Sequence, residues 1–341
     1  MDKAYTLDFT TQLLNIDSPT GYTHHAIEFL KEEATKLGYC FETTAKGNLT
    51  IEIPGESNEK VVGCCAHTDT LGLMVRSIKS NGRLALTTLG GPQLNTLDGE
   101  YCRIITRDQK VYTGTILSNS ASAHVYKDAS SSPRDLDHME VRIDEVVKNA
   151  EDVKKLGINH GDIVCIQTKT EITESGFIKS RFLDDKLSVG ILYGVMKYLS
   201  DHKIKPKYKT YVMITTYEEV GHGNSYIPAD ITELLGVDMG CIGEDLACSE
   251  LDVSICAKDS SGPYDYHMTS KLIENAKALQ LPYAVDIYPM YGSDVSAALR
   301  SSNNIKGALI GPGVHASHGM ERSHYSAVEA SFKLILSYLC E

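Results

Sequence analysis

The chain has 341 residues, enough for one large core or two domains, and 33 Lys plus Arg against 45 Asp plus Glu leave a formal net charge of −12 at pH 7. That balance argues against a protein that grips nucleic acid or an anionic membrane surface, since both reward clustered Lys and Arg. Nine cysteines are an odd number, so intrachain disulfides cannot use them all, and the adjacent Cys64 and Cys65 read as buried free thiols of a reducing compartment.

The opening MDKAYTLDFTTQLL has neither the basic region nor the long apolar core of a secretion signal. No run approaches the roughly 18 apolar residues of a membrane span. The expectation is a soluble, cytoplasmic protein.

Helical spacing governs the first part of the chain. FTTQLLNID and YTHHAIEFLKEEATKLGY flank the turn SPTG, and the second places Ala26, Ile27, Leu30, Ala34 and Leu37 on one face. GNLTIEIPG then reads as a strand with a turn. EKVVGCCAHTD reads as a nearly continuous apolar strand ending at His67, the pattern of a strand covered on both faces. From about Leu71 short alternating runs separated by Asn-Gly and Gly-Gly turns predict a small barrel or sandwich, with one short helix near NAEDVKKLG.

Helices and strands alternate again from SVGILYGVMKYLSDHK to the final helix SAVEASFKLILSYLC. The predicted architecture is therefore α/β, a sheet covered by helices on both faces. Residues 1–70 and 167–341 form the sheet-centred domain, interrupted by a β-rich, barrel-like insert at 71–166.

Polar residues collect where apolar strands end. His67 and Asp69 lie in CCAHTDT, Asp184 and Asp185 in RFLDDKLS, and Glu218, Glu219 and His222 in TTYEEVGHG. Asp238 lies in LLGVDMG, Asp294 in MYGSDVSAA, and His315, His318 and His324 in HASHGMERSHYSAVE. Each has a plainer reading taken singly: a hydrogen-bonded turn, the acidic start of a helix, or a solvated pair of glutamates. In open α/β sheets, however, ligands sit at the carboxyl ends of strands, so these positions can converge.

Asp238, flanked by apolar residues, is costly to bury without a partner. Two histidines and three carboxylates suffice for two divalent ions, one carboxylate bridging, and the glutamate beside a ligand glutamate can then move a proton. His222, His315 and His318 read as loop histidines that bind nothing.

In order along the chain, AHTD, LDDKLS, EEVGHG, VDMG, GSDVSAA and ERSHYSAVE resemble the motifs of the M42 family of metallo-aminopeptidases, which includes glutamyl, deblocking and tetrahedral aminopeptidases. The resemblance implies an exopeptidase with two divalent ions, zinc or cobalt, removing N-terminal residues from short peptides. It also implies a catalytic α/β domain interrupted by a β-rich one serving oligomerisation and substrate access, and a homo-oligomer, with dodecamers among its relatives. It makes His67 a ligand of one metal and Asp69 the aspartate that steadies it. Asp184 becomes the bridging ligand, followed in related di-metal peptidases by a cis peptide bond.

By the same resemblance Glu218 is the general base, Glu219 and His324 are ligands of the second metal, and Asp238 is the other ligand of the first. Asp294 is placed near the substrate amine or the metal shell. Where the family reads DDR and then glycine, this chain has Lys186 and Ser188, and ERSHYS replaces the family's RYIHS. Those changes alter the surroundings and bear on substrate selection. Two other readings stand beside this one: a hydrolase of small amides or acylated amino acids using the same chemistry, and a non-catalytic protein with a structural metal. A free base such as Glu218 has no purpose in a structural site.

Overall fold

The computed structural model describes all 341 residues. They divide into two compact units, Met1–Thr70 with Lys169–Glu341, and Leu71–Thr168. The first unit opens with helices α1 (Lys3–Leu14) and α2 (His24–Lys36), then strands β1 (Cys40–Thr43), β2 (Leu49–Ile53) and β3 (Ser57–His67). The side chain of Asp2 accepts the Tyr5 amide and so caps one of the unpaired N–H groups at the start of α1.

The second unit is a closed barrel of β4 (Gly72–Ile78), β5 (Leu84–Leu89), β6 (Tyr101–Ile105), β7 (Val111–Ser118), β8 (Met139–Ile143) and β9 (Ile163–Ile166), with the short helix α3 (Ala150–Leu156). Its strand order is β4-β5-β8-β7-β6-β9, closed by pairing of β9 with β4. Leu73, Leu84, Ile104, Val141 and Val164 are fully buried in it, as alternation in short strands requires of an interior. The barrel is a separate sheet.

The first unit resumes with β10 (Glu171–Ile172), β11 (Phe177–Ser180), helix α4 (Leu183–His202), β12 (Tyr208–Thr215), β13 (Glu233–Val237), β14 (Gly240–Cys241), β15 (Val253–Asp259) and β16 (Gly262–Pro263). Helix α5 (Tyr266–Ala278), β17 (Tyr283–Ile287), helix α6 (Asp294–Arg300), β18 (Lys306–Val314), β19 (Glu321–His324) and helix α7 (Tyr325–Cys340) complete it. Ten strands make one mixed sheet in the order β1-β2-β12-β3-β13-β18-β15-β16, with β14 on β18 and β17 on β15. This mixed sheet flanked by helices, with a separate barrel, is the architecture that the hydrophobic periodicities predict.

Its centre decides where the chemistry sits. Strands β12, β3, β13 and β18 are mutually parallel, so their carboxyl ends share one edge. Thr215 at the end of β12 pairs with His67 at the end of β3, and Val237, just before Asp238, pairs with Ile310. The last seven residues of β3 are all buried, which fits a strand covered on both faces. Cys65, Met213, Leu234 and Leu309 from the four strands join Val295 and Ala298 of α6 in one apolar cluster. All nine cysteines are free, and burial pushes the Cys64 thiol up to about 12.

Two short strands were not legible in the hydrophobic pattern. β11 and β19 pair with each other in a small three-stranded sheet with β10, and His324 lies in register with Phe177. That pairing fixes where His324 can point.

Gly311 on β18 is needed for a close approach. A Cβ there would lie 1.9 Å from the Asp238 carbonyl oxygen and 2.5 Å from its carbon, and both are backbone atoms. The Asp238 amide donates to the Ile310 carbonyl at 2.8 Å, so the two segments cannot separate without losing that bond. Gly311→Ala should therefore destabilise the fold by about 1–3 kcal/mol, the usual cost of forcing extra volume into a packed interior. Chemical denaturation of the metal-free variant checks this, and an unchanged midpoint would contradict the close approach.

Candidate metal centre

His67 ends β3 with its ring buried and hemmed by carboxylates. Its Nε2 lies 3.3 Å from Asp184 Oδ1 and 3.7 Å from Glu218 Oε2. Its Nδ1 lies 2.9 Å from the carbonyl oxygen of Asp69, which directs Nε2 toward the carboxylates. The Asp69 carboxylate is farther from the ring, at 3.6 Å. That carboxylate instead accepts the backbone amides of Glu218 at 3.1 Å and Glu219 at 3.3 Å and the Thr20 hydroxyl at 2.6 Å. Asp69 thus holds the imidazole by its backbone and the paired glutamates by its side chain.

Asp184 and Asp185 open α4 with non-helical backbone angles, and the peptide bond between them is cis. Asp185 accepts the His67 amide at 3.2 Å, so it belongs to the frame. Asp184 faces two histidines. Its Oδ1 is beside His67, and its Oδ2 lies 3.6 Å from His318 Nε2. The same His318 nitrogen lies 3.7 Å from Glu219 Oε2. Asp238 directly follows β13, and the donor atoms of His67, Asp184 and Asp238 lie within 4.8 Å of one another.

His324, expected as a metal ligand, makes other contacts in this structure. Its Nε2 lies 2.9 Å from the Ser175 carbonyl oxygen, its Nδ1 accepts the Ser326 amide at 3.0 Å, and its ring packs edge-on against Phe177. Both nitrogens are engaged away from the carboxylates because β19 pairs with β11. His318 is the histidine that lies beside Asp184 and Glu219. Both histidines follow β18 within about ten residues, so the strand-end signal that located the other groups did not choose between them.

Glu321 was missed as well. Fully buried, it accepts the Asp184 amide at 3.1 Å and the His318 amide at 3.1 Å, tying the two together. His318 itself has φ 65, an uncommon left-handed conformation for a non-glycine residue.

One oxygen of Asp294 accepts the Thr215 hydroxyl and the other the Asn224 amide at 2.9 Å, so its carboxylate closes a loop. His222 stacks on Tyr217 with ring centroids 5.0 Å apart. Lys186, which stands where the family has arginine, donates to the carbonyls of Leu13 at 3.0 Å and Ile16 at 2.6 Å. It ties the start of α4 to the end of α1.

The carboxylates fall into two sets. Asp69, Asp294 and Glu321 have backbone and hydroxyl donors, whereas Asp184, Glu218, Glu219 and Asp238 face one another and two imidazoles. Burial, aided by neighbouring carboxylates, raises the proton affinity of Glu218 and Glu219 well above the usual carboxylate range. Burial also pushes Asp238 up to about 7. At Asp184 burial works the same way, but the hydrogen bond and charge of His67 hold its carboxyl below its ordinary value. Burial disfavours the His67 cation, yet Asp184, Glu218 and Asp69 outweigh it and raise the imidazole well above normal.

Such a cluster suits a cation. Glu219 Oε1 is buried without a hydrogen-bond partner, and His nitrogen with carboxylate oxygen is the donor set of zinc and its neighbours. A site of this kind at the strand ends of an α/β sheet defines a metal-dependent exopeptidase.

The chain belongs to the family described as M42 glutamyl aminopeptidase, whose model matches residues 47–334. It is thus a peptide-hydrolysing enzyme. YhfE of Bacillus subtilis (strain 168), a protein named as a candidate aminopeptidase, is 43% identical over 335 residues, covering 98% of this chain and 97% of that one. A TET aminopeptidase from the marine sediment archaeon Thaumarchaeota archaeon SCGC AB-539-E09 superposes with a TM-score of 0.88 at 18% identity, over 98% of this chain and 96% of that one. The TET1 peptidase of Pyrococcus horikoshii, which can assemble into a tetrahedron or a large octahedral shell, gives 0.85 at 22% identity, over 98% and 99%.

The raised carboxylates set a pH dependence. A carboxyl whose folded value exceeds its unfolded value of about 4 contributes stability that is present below that value and lost as pH rises through the folded one, about 7 for Asp238. Metal-free protein should therefore lose stability on this account as pH rises across that window. Metal binding displaces those protons, so the gap in Tm between metal-loaded and chelator-stripped protein should widen from about pH 5 to about pH 8. Thermal melts of both forms test it; a gap that narrows with pH would contradict the assignment.

Proposed function

We propose that this protein is a dinuclear aminopeptidase, with His67, Asp184 and Asp238 holding one divalent ion and Asp184, Glu219 and His318 the other. The observation that carries this reading is that His67 and His318 face the two different oxygens of the Asp184 carboxylate, at 3.3 and 3.6 Å. Ligand atoms about 2.0–2.2 Å from a shared ion stand three to four ångströms apart, so these separations suit a bridging carboxylate. Zinc or cobalt fits the donor set. When bound, the pair supplies a water acidified to near neutrality and polarisation of the scissile carbonyl.

This chain's own residues do the rest. Glu218 lies beside His67 Nε2 with its side chain partly exposed, so its carboxylate can take the proton from water and return it to the leaving amine. Its raised proton affinity suits both halves of that task. Glu219, a neighbour in sequence, points to His318 and serves as a ligand. Asp69 sets both in place through their backbone amides, and Glu321 does the same for Asp184 and His318. Membership of the glutamyl aminopeptidase family and the likeness to YhfE support recognition of a free peptide N-terminus.

Nine free cysteines support a cytoplasmic location, and no helix is long and apolar enough to cross a membrane. The assembly of the similar TET1 peptidase into a tetrahedron or a large octahedral shell supports a homo-oligomer. Light scattering showing a monomer at micromolar concentration would remove the oligomer.

Three measurements test the function. Short peptides with a free amine should be cleaved by metal-loaded protein and their N-acetylated forms should not; faster turnover of the acetylated peptides would point to an acyl-amino-acid hydrolase instead. Glu218→Gln should keep both ions and lose about 10²–10⁴-fold in kcat, the range for removing a general base. His318→Ala should lower bound metal from two ions per chain toward one, whereas His324→Ala should leave two. Elemental analysis of both variants decides between the two histidines.

A further inference from the structure

The stretch that carries both glutamates, Thr216–Gly223, leaves the end of β12 and returns close to its start. Three residues from elsewhere in the chain tie it in nested pairs. Asp69 holds the adjacent amides of Glu218 and Glu219. Asn48 joins residues farther apart: its Oδ1 accepts the Thr216 hydroxyl at 2.9 Å and its Nδ2 donates to the Gly223 carbonyl at 2.9 Å. Asp294 joins Thr215 to Asn224, one residue further out on each side.

Asn48 is itself held firmly. It ends the tight turn between β1 and β2, where its amide donates to Thr44 Oγ1 at 3.1 Å and its carbonyl accepts the Thr44 amide at 2.9 Å. Gly47 supplies the left-handed residue of that turn at φ 96. The side chain of Asn48 is buried, so its two loop bonds are shielded from water. From the same turn the Lys46 ammonium donates to the His222 and Gly223 carbonyls and the Ser225 hydroxyl.

We propose that Asn48 is a positioning residue of the peptidase reaction, a latch across the neck of the 216–223 loop that fixes Glu218 and Glu219 relative to His67 and His318. The proposal rests on the roles assigned above to the two glutamates. A carboxamide is suited to the place because one neck residue offers a hydroxyl and the other a carbonyl, which need an acceptor and a donor at once. An aspartate of the same size keeps the acceptor for Thr216 and sets an oxygen against the Gly223 carbonyl.

The latch serves geometry rather than peptide affinity, so its loss should appear in kcat. In metal-loaded Asn48→Asp, kcat should fall by about 10–100-fold, the scale of a displacement near 1 Å at a reacting group. KM should stay within about three-fold, since no substrate contact has been removed. In the metal-free variant, amide exchange at Tyr217–His222 should quicken by about an order of magnitude while β3 and the body of β12 keep their protection.

Thr216→Val removes the hydroxyl that reaches Asn48 Oδ1 and, at 3.2 Å, the Lys46 carbonyl of the same turn, with little change in volume, and it carries the test if Asn48→Asp fails to fold. Unchanged exchange in the loop, unchanged kcat, or a loss confined to KM would overturn the latch. Exchange in metal-free protein needs no turnover. A wild-type chain inactive on peptides would therefore sink the functional reading, and the exchange comparison would still decide whether Asn48 closes the loop.

Discussion

Negative charge buried at one edge of a sheet is the constraint on which the rest of this structure depends. A carboxylate taken out of water must find donors, a proton or a cation. Asp69 and Glu321 find backbone amides, and Asp294 an amide and a hydroxyl. These three are held by the chain itself and in turn hold the segments that carry the others. Asp184, Glu219 and Asp238 have no comparable set of donors and turn toward His67 and His318. The division is chemical: donors from the backbone convert one set into scaffold, and the remaining set is left to a metal.

Parallel strands bring that charge together from distant parts of the chain. Because β12, β3, β13 and β18 run the same way, whatever follows each of them arrives at the same edge. His67, the Glu218–Glu219 pair, Asp238 and His318 are four consequences of one rule. The barrel from Leu71 to Thr168 forms its own closed sheet and leaves this register untouched. A long insertion directly after a metal-site segment is tolerated because Thr70 is already tied to the body, its amide donating to the Ser18 carbonyl at 2.9 Å.

Precision at the site comes from groups that do not themselves reach it. The β1–β2 turn, the start of α6 and the segment after β3 each contribute one side chain that binds the backbone or a hydroxyl of the glutamate loop. Loops are the mobile parts of a fold. A loop tied in this way can present two carboxylates on consecutive residues without letting either wander. Adjacent like charges at Glu218 and Glu219 are then no liability, since the two side chains diverge toward different imidazoles.

Much of this was determined by the sequence alone. Apolar runs of period two and of helical period set the α/β class and the barrel interruption, and polar residues closing apolar strands marked His67, Asp184, Glu218, Glu219 and Asp238. Those signals are local, because burial of a strand and the polarity of its end are written in neighbouring residues. Which histidine completes the cluster was not local. His318 and His324 are six residues apart in similar surroundings. Only the pairing of β19 with β11 turns His324 toward Ser175 and leaves His318 beside Asp184. Asp294 was undecided for the same reason. Its composition fits a substrate contact, but the closing of the 215–224 loop over it brings a hydroxyl and an amide to its two oxygens. Where a polar side chain finds its partners across some seventy residues or more of chain, as Asp294 and Asn48 do, the choice among possible partners is made by long-range packing, and no window of sequence contains it.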